Sequence, residues 1–212
     1  MRPITKQTIA VVVSLFVLFV AVYGSYMPMR KAEMFIATLQ GIQANPVTSL
    51  ADLENRLSVP LNYPSPIGQE ELVRNMANSV LGFVQNSPNA SSTDELLSYL
   101  DGYYAPIISR GRGMSFGQDL YLEGAIHEVA FVKTQEPTDL QLAEQYYLEG
   151  HALGPERPQP LYGLFDVYRF MGDEADTLST AQTILTLWPT DTNIRAALAA
   201  MQVMPTSSPK GK

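Results

Sequence analysis

The strongest pattern in the chain is one apolar block near its N-terminus. Residues 9–24 read IAVVVSLFVLFVAVYG, and the stretch from Gln7 to Tyr26 contains 20 residues without a charge. At about 1.5 Å per residue, a helix of that length spans about 30 Å, the thickness of the hydrocarbon core of a bilayer. The pattern therefore predicts a transmembrane helix within residues 1–29.

The charges that flank this block bear on its orientation. Arg2 and Lys6 precede it together with the terminal amine, and Arg30 and Lys31 follow it. Positive charge favours the cytoplasmic side, and the terminal amine tips a nearly even balance towards a cytoplasmic N-terminus. We expect a single-pass membrane protein whose C-terminal domain lies outside the cytoplasm.

Two other interpretations of the block remain open. A signal peptide would also begin with a short basic region, and Val22 and Gly24 could stand just before the cleavage site. The protein would then be secreted. A buried core helix is the third interpretation, although soluble helices rarely lack a polar face over so many turns.

Beyond the block, apolar residues recur at three- and four-residue spacing, and strand-like alternation never persists. This periodicity predicts an all-α fold of antiparallel helix pairs. Helices are expected over residues 30–43 and 49–58, while Pro28 should kink or end the anchor helix. The three prolines of residues 59–67 predict a loop there.

The next two helices are placed by their start signals. Ser65 followed by Pro66 predicts a helix start, and the apolar stripe after it continues to about Gln85. Ser92 and Glu95 have capping-box spacing, which predicts a further helix after a break at residues 86–91. That helix should end at Gly102 or bend at Pro106, and residues 111–113 should form a loop.

The C-terminal third contains a repeat signal. Gly154-Pro155 and Trp188-Pro189 place two prolines 34 residues apart, and the small Ala143 and aromatic Tyr147 precede the first of them. This arrangement resembles the tetratricopeptide (TPR) repeat, in which a small residue lets helices approach and an aromatic side chain fills the gap.

The following segment, residues 158–189, resembles a second TPR unit. Gly172-Asp173 matches the turn between its two helices, with glycine providing a left-handed stop. The residues that match the first helix are Leu161, Leu164 and Tyr168. The departures from the family pattern are Phe165, Thr177, Ala181 and Ile184.

The TPR resemblance implies a domain organisation and a binding surface. Residues 117–204 would form a helical solenoid with residues 193–201 as a capping helix, above a membrane-proximal helical region at 30–116. The small, polar residues 205–212 are expected to be disordered. First helices of TPR units line a concave face that receives peptides. The corresponding groove positions here are Gln159, Tyr162, Asp166 and Arg169, although Asp166 and Arg169 could equally form a surface ion pair.

A looser resemblance covers the segment SVPLNYPSPIGQEELVRNMAN, mostly through Pro64 to Arg74. It looks like the C-terminal part of bacterial O-antigen ligase/polymerase-like membrane proteins. Those proteins carry a multi-spanning catalytic core, which a chain with one span lacks, so the glycan-transfer activity does not carry over. The resemblance implies an accessory module of envelope polysaccharide assembly as the alternative function.

Composition and charge narrow the remaining possibilities. The chain has 212 residues, 14 Lys and Arg, 21 Asp and Glu, and a net charge of -7. Without a basic stripe it is a poor candidate for nucleic-acid binding. It has no cysteine, which excludes disulfides, thiolate metal sites and a cysteine nucleophile.

Candidate chemistry is sparse. His127-Glu128 begins like a zinc-protease motif but lacks a second histidine four residues on, so His127 and His151 are interpreted as ordinary helix-surface or helix-contact residues. Residues 111–113 lack the end of a phosphate loop, and no serine stands in a G-x-S-x-G elbow. We therefore expect no enzyme activity, cofactor or metal. The sequence favours a membrane-anchored protein-interaction or scaffold module, with a glycan-assembly subunit and a purely structural membrane component as the rivals.

Overall fold

The computed structural model describes residues 3–86 and 91–203, and within these ranges it contains helices and no strand. The all-α prediction is confirmed for this part of the chain. The α-helices are α1 (Pro3–Ala21), α2 (Met27–Ala44), α3 (Leu50–Leu61), α4 (Gln69–Asn86), α5 (Ser91–Arg110), α6 (Phe116–Thr134), α7 (Pro137–Leu153), α8 (Pro158–Met171), α9 (Glu174–Leu187) and α10 (Thr192–Val203). The predicted disordered segment 205–212 lies outside the described residues.

The first two helices are joined by a π-helical turn, Val22–Tyr26. Pro28 has no backbone N–H, and its ring crowds the carbonyl four residues earlier, that of Gly24. The wider turn accommodates this mismatch: the Met27 N–H bonds the Val22 carbonyl, five residues back. Pro28 therefore does not end the helix, which continues to Ala44.

The N-terminal helical run Gln7–Ala44 is the described helix that is long and apolar enough to cross a membrane. Its large apolar side chains from Ile9 to Tyr26 are between 45% and 64% exposed. This exposure contradicts the core-helix interpretation. The length and composition of this helix fit a membrane span, and they fit an N-terminal signal sequence equally well.

The chain divides into two compact units. The first contains residues 3–86 and Asp94–Gly111, and the second contains 112–203 with residues 91–93. In the first unit, the apolar stripes of α3, α4 and α5 are buried as their spacing predicts. The fully or almost fully buried side chains of these stripes are Leu53, Leu57, Leu61, Leu72, Val73, Met76, Val80, Leu96, Leu100 and Tyr104.

The helix boundaries around the three-proline segment differ from the prediction. α3 runs to Leu61 and includes Pro60, because a proline in the last turn removes only one bond near the helix end. α4 begins at Gln69, after Gly68 with φ of 89°, and not at Pro66. The Ser65 hydroxyl instead bonds the backbone of Ile67, which makes a local turn.

The helix after residues 87–90 also differs from the prediction. α5 begins at Ser91, so Ser92 is already inside the helix rather than capping it. The helix passes through both Gly102 and Pro106 and ends at Arg110, where Gly111 has a left-handed φ of 63°. The predicted loop at residues 111–113 is confirmed.

In the second unit, consecutive helices from α6 to α10 pack against each other, and α6 also contacts α8. The connections alternate between two and four residues: 135–136, 154–157, 172–173 and 188–191. Gly172 has a left-handed φ of 72° and ends α8, as predicted.

The side chains predicted to pack between the helices of the second unit are buried. Ala143 is fully buried, and Tyr147 is 1% exposed. The buried set also includes Leu161, Leu164 and Tyr168, together with the departures from the family pattern, Phe165, Thr177, Ala181 and Ile184. The burial predicted for Ala143 and Tyr147 is therefore confirmed.

Candidate binding groove

Helices α6 and α8 approach each other around the ring of Tyr147 from α7. A Cβ atom added to Gly124 on α6 would lie 2.6 Å from this ring, and one added to Gly163 on α8 would lie 2.3 Å from it. Both distances are far shorter than van der Waals contact. The ring is 1% exposed, so it has no room to move away. Two glycines thus create the slot that brings α6, α7 and α8 together.

The hydroxyl group of Tyr147 is hydrogen-bonded as well. Its hydroxyl donates a hydrogen bond of 2.7 Å to Glu128 Oε2 on α6. Burial raises the pKa of Glu128 to about 7, the hydrogen bond opposes that rise, and the Asp166 carboxylate adds to it. Burial also raises the pKa of Tyr147 far above its ordinary range, with Glu128 adding to the rise. Glu128 therefore changes charge near neutral pH at the boundary between α6 and α8.

His127, the neighbour of Glu128 on α6, contacts α7. Its Nδ1 lies 2.9 Å from Asp139 Oδ1 on α7, and both side chains are buried. Its ring stacks on Tyr146 with centroids 5.8 Å apart. These contacts join α6 to α7, in agreement with the sequence interpretation.

The structure distributes the four predicted groove residues over different surroundings. Gln159 lines a cavity of about 510 Å³ at the beginning of α8. Gln118 and Tyr121 of α6 face the same cavity, and Arg157 closes one side of it. The other lining residues are Met114, Ser115, Gly117, Pro158 and Pro160.

Asp166 and Arg169 line a second cavity, of about 410 Å³, at the far end of α8, where α9 and α10 form its other walls. Arg169 Nη1 lies 3.0 Å from Asp166 Oδ1, and the guanidinium lies 5.4 Å from the centroid of the Phe165 ring. The two charged side chains remain 46% and 44% exposed, so the ion pair is open to a partner. Phe170 also lines this cavity and is half-exposed.

Tyr162 faces neither cavity. Its hydroxyl donates to Asp191 Oδ2, and its ring stacks on Trp188 with centroids 6.2 Å apart. Asp191 in turn accepts hydrogen bonds from the N–H groups of Asn193 and Ile194 at the start of α10. The hydrogen bond to Asp191 raises the pKa of Tyr162 to about 12. Tyr162 therefore holds α10 against α8.

We call the surface formed by α6 and α8 the α6–α8 groove. It contains the predicted Gln159, Asp166 and Arg169 together with Gln118, Tyr121 and Glu128, which the sequence interpretation missed. The spacing of Gln118, Tyr121 and Glu128 at three and seven residues along α6 could have indicated that they share a face. Their position opposite α8 depends on tertiary contacts.

No protein-family model, curated protein or solved structure matches the chain. The groove must therefore be interpreted from its own chemistry. It offers amide donors and acceptors at one cavity, a titrating carboxylate in the middle and a half-exposed ion pair at the other cavity. These groups suit recognition of a polar, extended segment through hydrogen bonds and charge.

Proposed function

We propose that this protein is a membrane-anchored, TPR-like module that binds another protein through the α6–α8 groove. The observation that carries the proposal is the pair of cavities at the two ends of α8, one shared with α6 and the other with α9 and α10, each lined by polar side chains that stay accessible. Gln159 and Arg169 are ten residues apart, which is about 15 Å along a helix. An extended segment of four or five residues covers that distance.

The N-terminal helix supports the location. Its apolar side chains need an apolar environment, and a bilayer supplies one for the whole stretch from Ile9 to Tyr26. With the N-terminus in the cytoplasm, the folded units lie outside it. Confinement to a membrane raises the effective concentration of the module towards partners in the same membrane.

The repeat geometry supports the TPR-like assignment. α8 begins at Pro158 and α10 at Thr192, 34 positions later, which is the TPR period. The alternation of two- and four-residue connections is the pattern expected of repeated helix pairs. In this register α6 and α8 are first helices, whose exposed sides form the peptide-binding face of such arrays.

The proposal is tested by cross-linking the full chain in native membranes and identifying captured proteins by mass spectrometry. The test variant is Asp166→Ala with Arg169→Ala, because these half-exposed side chains can be removed without touching the core. The control is Gln182→Ala with Thr186→Ala, two exposed residues of α9 that line neither of the two cavities. Tyr162 is left unchanged because it secures α10.

We expect the control to capture the same partner as the natural sequence and the groove variant to capture at least several-fold less. Equal capture by both variants would contradict the groove assignment. Capture of a glycan ligase or polymerase would favour the accessory role in envelope polysaccharide assembly. Turnover of a glycan or peptide by the purified protein alone would contradict the interaction role.

A further inference from the structure

The turn before α8 holds an arginine in a fixed position. The Arg157 N–H bonds the Gly154 carbonyl at 2.9 Å, which closes a tight turn. Pro158 follows, and a residue before proline is restricted to extended backbone, as the φ of −78° and ψ of 128° of Arg157 show. The backbone of Arg157 is therefore constrained from both sides.

Two glycines make room for the Arg157 side chain. A Cβ on Gly154 would lie 2.7 Å from Arg157 Cδ, and a Cβ on Gly117 would lie 2.6 Å from Nη1. The side chain thus runs across two positions where any larger residue would displace it. Its guanidinium is directed to the wall of the 510 Å³ cavity.

Arg157 is exposed, and its charge meets no acidic side chain among the described residues. Among the described residues, its guanidinium has no hydrogen bond or ion pair, although it carries five N–H donors and stays charged at any physiological pH. Other arginines do have partners. Ion pairs are formed by Arg30, Arg56, Arg74, Arg110 and Arg169.

The cavity itself has the character of an anion site. None of the described residues that line it is acidic, in a chain whose net charge is -7. Gln118 and Gln159 supply amide donors beside the guanidinium, and Arg157 stands at the N-terminal end of α8, where the helix dipole favours negative charge. The neighbouring Glu156 lines a different cavity, with His151.

We propose that this cavity binds the carboxylate of an aspartate or glutamate side chain in the partner segment, with Arg157 as the binding residue. The inference rests on the proposed function, since it concerns the same groove. A single guanidinium matches one carboxylate through two parallel hydrogen bonds, whereas phosphorylated segments are usually held by clusters of arginines. The carboxylate belongs to a side chain and not to the C-terminus of the partner, because the bound segment continues along α8 beyond the cavity.

The test uses the full chain in nanodiscs of phosphatidylcholine. Two libraries of acetylated, amidated nonapeptides are applied, one with a fixed central Glu and one with a fixed central Gln, and retained peptides are measured by mass spectrometry. We expect the Glu library to be retained about tenfold more. Arg157→Gln should abolish the difference, and Arg157→Lys should keep part of it. Arg195→Gln, which changes an exposed arginine of α10, serves as the matched control and should keep all of it.

A second variant separates position from charge. Gly117→Ala keeps the arginine but places a methyl group where Nη1 lies, so the flexible guanidinium must move. We expect an unchanged melting temperature and a several-fold smaller preference for Glu. A full preference in this variant, together with one in Arg157→Gln, would overturn the proposed site.

The outcomes distinguish this inference from the proposed function. Equal retention of both libraries, each lost in the Asp166→Ala, Arg169→Ala variant, would overturn the carboxylate site and leave the groove function standing. A third library, with a fixed central Gln and a free C-terminal carboxylate, tests the other source of a carboxylate, and its retention at the level of the Glu library would overturn the side-chain assignment. Retention of none of the libraries would contradict both.

Discussion

The two units join their helices by opposite means. In the first unit, the buried Lys31 of α2 donates to the carbonyls of Leu61 at 3.2 Å and Tyr63 at 2.8 Å, and to the side chain of Gln69. In the second unit, the Tyr147 ring fills a slot between two glycines. One junction depends on a charge with neutral acceptors, and the other depends on shape.

This difference determines which changes each unit tolerates. A slot that fits an aromatic ring is sensitive to one added methyl group, because close-packed interiors cannot absorb the extra volume. A lysine junction is insensitive to small volume changes but loses all of its bonds when the donor is removed. The same kinds of substitution should therefore have opposite consequences in the two units.

The largest effect is expected from Gly163→Ala. Its Cβ would meet the immobile Tyr147 ring at 2.3 Å, so we expect a loss of about 3 kcal/mol in the free energy of unfolding of the second unit. Trp188 is the only tryptophan and lies in this unit, so its fluorescence during denaturation measures the loss. An unchanged midpoint would show that the slot is not tight.

Lys31→Met should have the next largest effect, about 2 kcal/mol, confined to the first unit. The substitution keeps the length of the side chain but leaves the buried carbonyl of Leu61 and the half-buried carbonyl of Tyr63 without their donor. Hydrogen exchange in the peptides of α3 and α4 should accelerate. The neighbouring Arg30→Gln is the matched control, because its exposed ion pair with Glu33 contributes little. Equal acceleration in both variants would contradict the lysine junction.

Glu128→Gln should change the pH dependence of the second unit. The folded pKa of about 7 exceeds the unfolded value of 4.5, so the folded state binds a proton that the unfolded state has lost between these pH values. Stability contributed by that proton is present below pH 4.5 and disappears as the pH rises through 7. The variant should match the natural protein at pH 5 and exceed it by on the order of 1 kcal/mol at pH 8.

Tyr147→Phe sharpens this test, because it removes the hydrogen bond that lowers the pKa of Glu128. The decline in stability with pH should then begin at the same pH, which the unfolded state sets, and continue to a higher pH than in the natural protein. Parallel pH profiles for the natural protein and Glu128→Gln, measured by Trp188 fluorescence, would contradict the buried-carboxylate account.

The smallest effect on the free energy of unfolding is expected from Gly102→Ala in α5, and this variant should be more stable, not less. No atom lies within 4 Å of the position that a Cβ would take there. Alanine is favoured over glycine inside a helix, so we expect a gain of about 0.5 kcal/mol. A loss there comparable to that of Gly163→Ala would show that a glycine in open space is just as sensitive to alanine, and it would contradict the tyrosine slot as the cause of the loss.

Local patterns predicted most of the helices and their buried faces. The stripe around Met76 and the small-aromatic pair Ala143 and Tyr147 were found from spacing alone, because burial follows helical periodicity. The errors arose at prolines. Pro60 lies inside α3 and not in a loop, because packing of the flanking residues outweighs one lost backbone bond, and Pro66 does not start α4.

The candidate site was less predictable than the fold. Family-like spacing located Gln159, Asp166 and Arg169, but it grouped them with Tyr162, which instead bonds Asp191 across 29 residues. The position of the Arg157 side chain depends on Gly117 of α6, and the pKa of Glu128 depends on its hydrogen bond with Tyr147 of α7. Such contacts between distant residues have no signature in the spacing of a single segment.

The central claim is that the α6–α8 groove is the surface that meets a partner. It is tested most directly by placing a photo-cross-linking amino acid at single exposed positions of the full chain in native membranes. Gln159 reports on the groove, and Gln182 on α9 reports on a surface outside it. The account predicts a discrete cross-linked protein from position 159 and none from position 182. The same product from both positions, or a product from 182 alone, would contradict it.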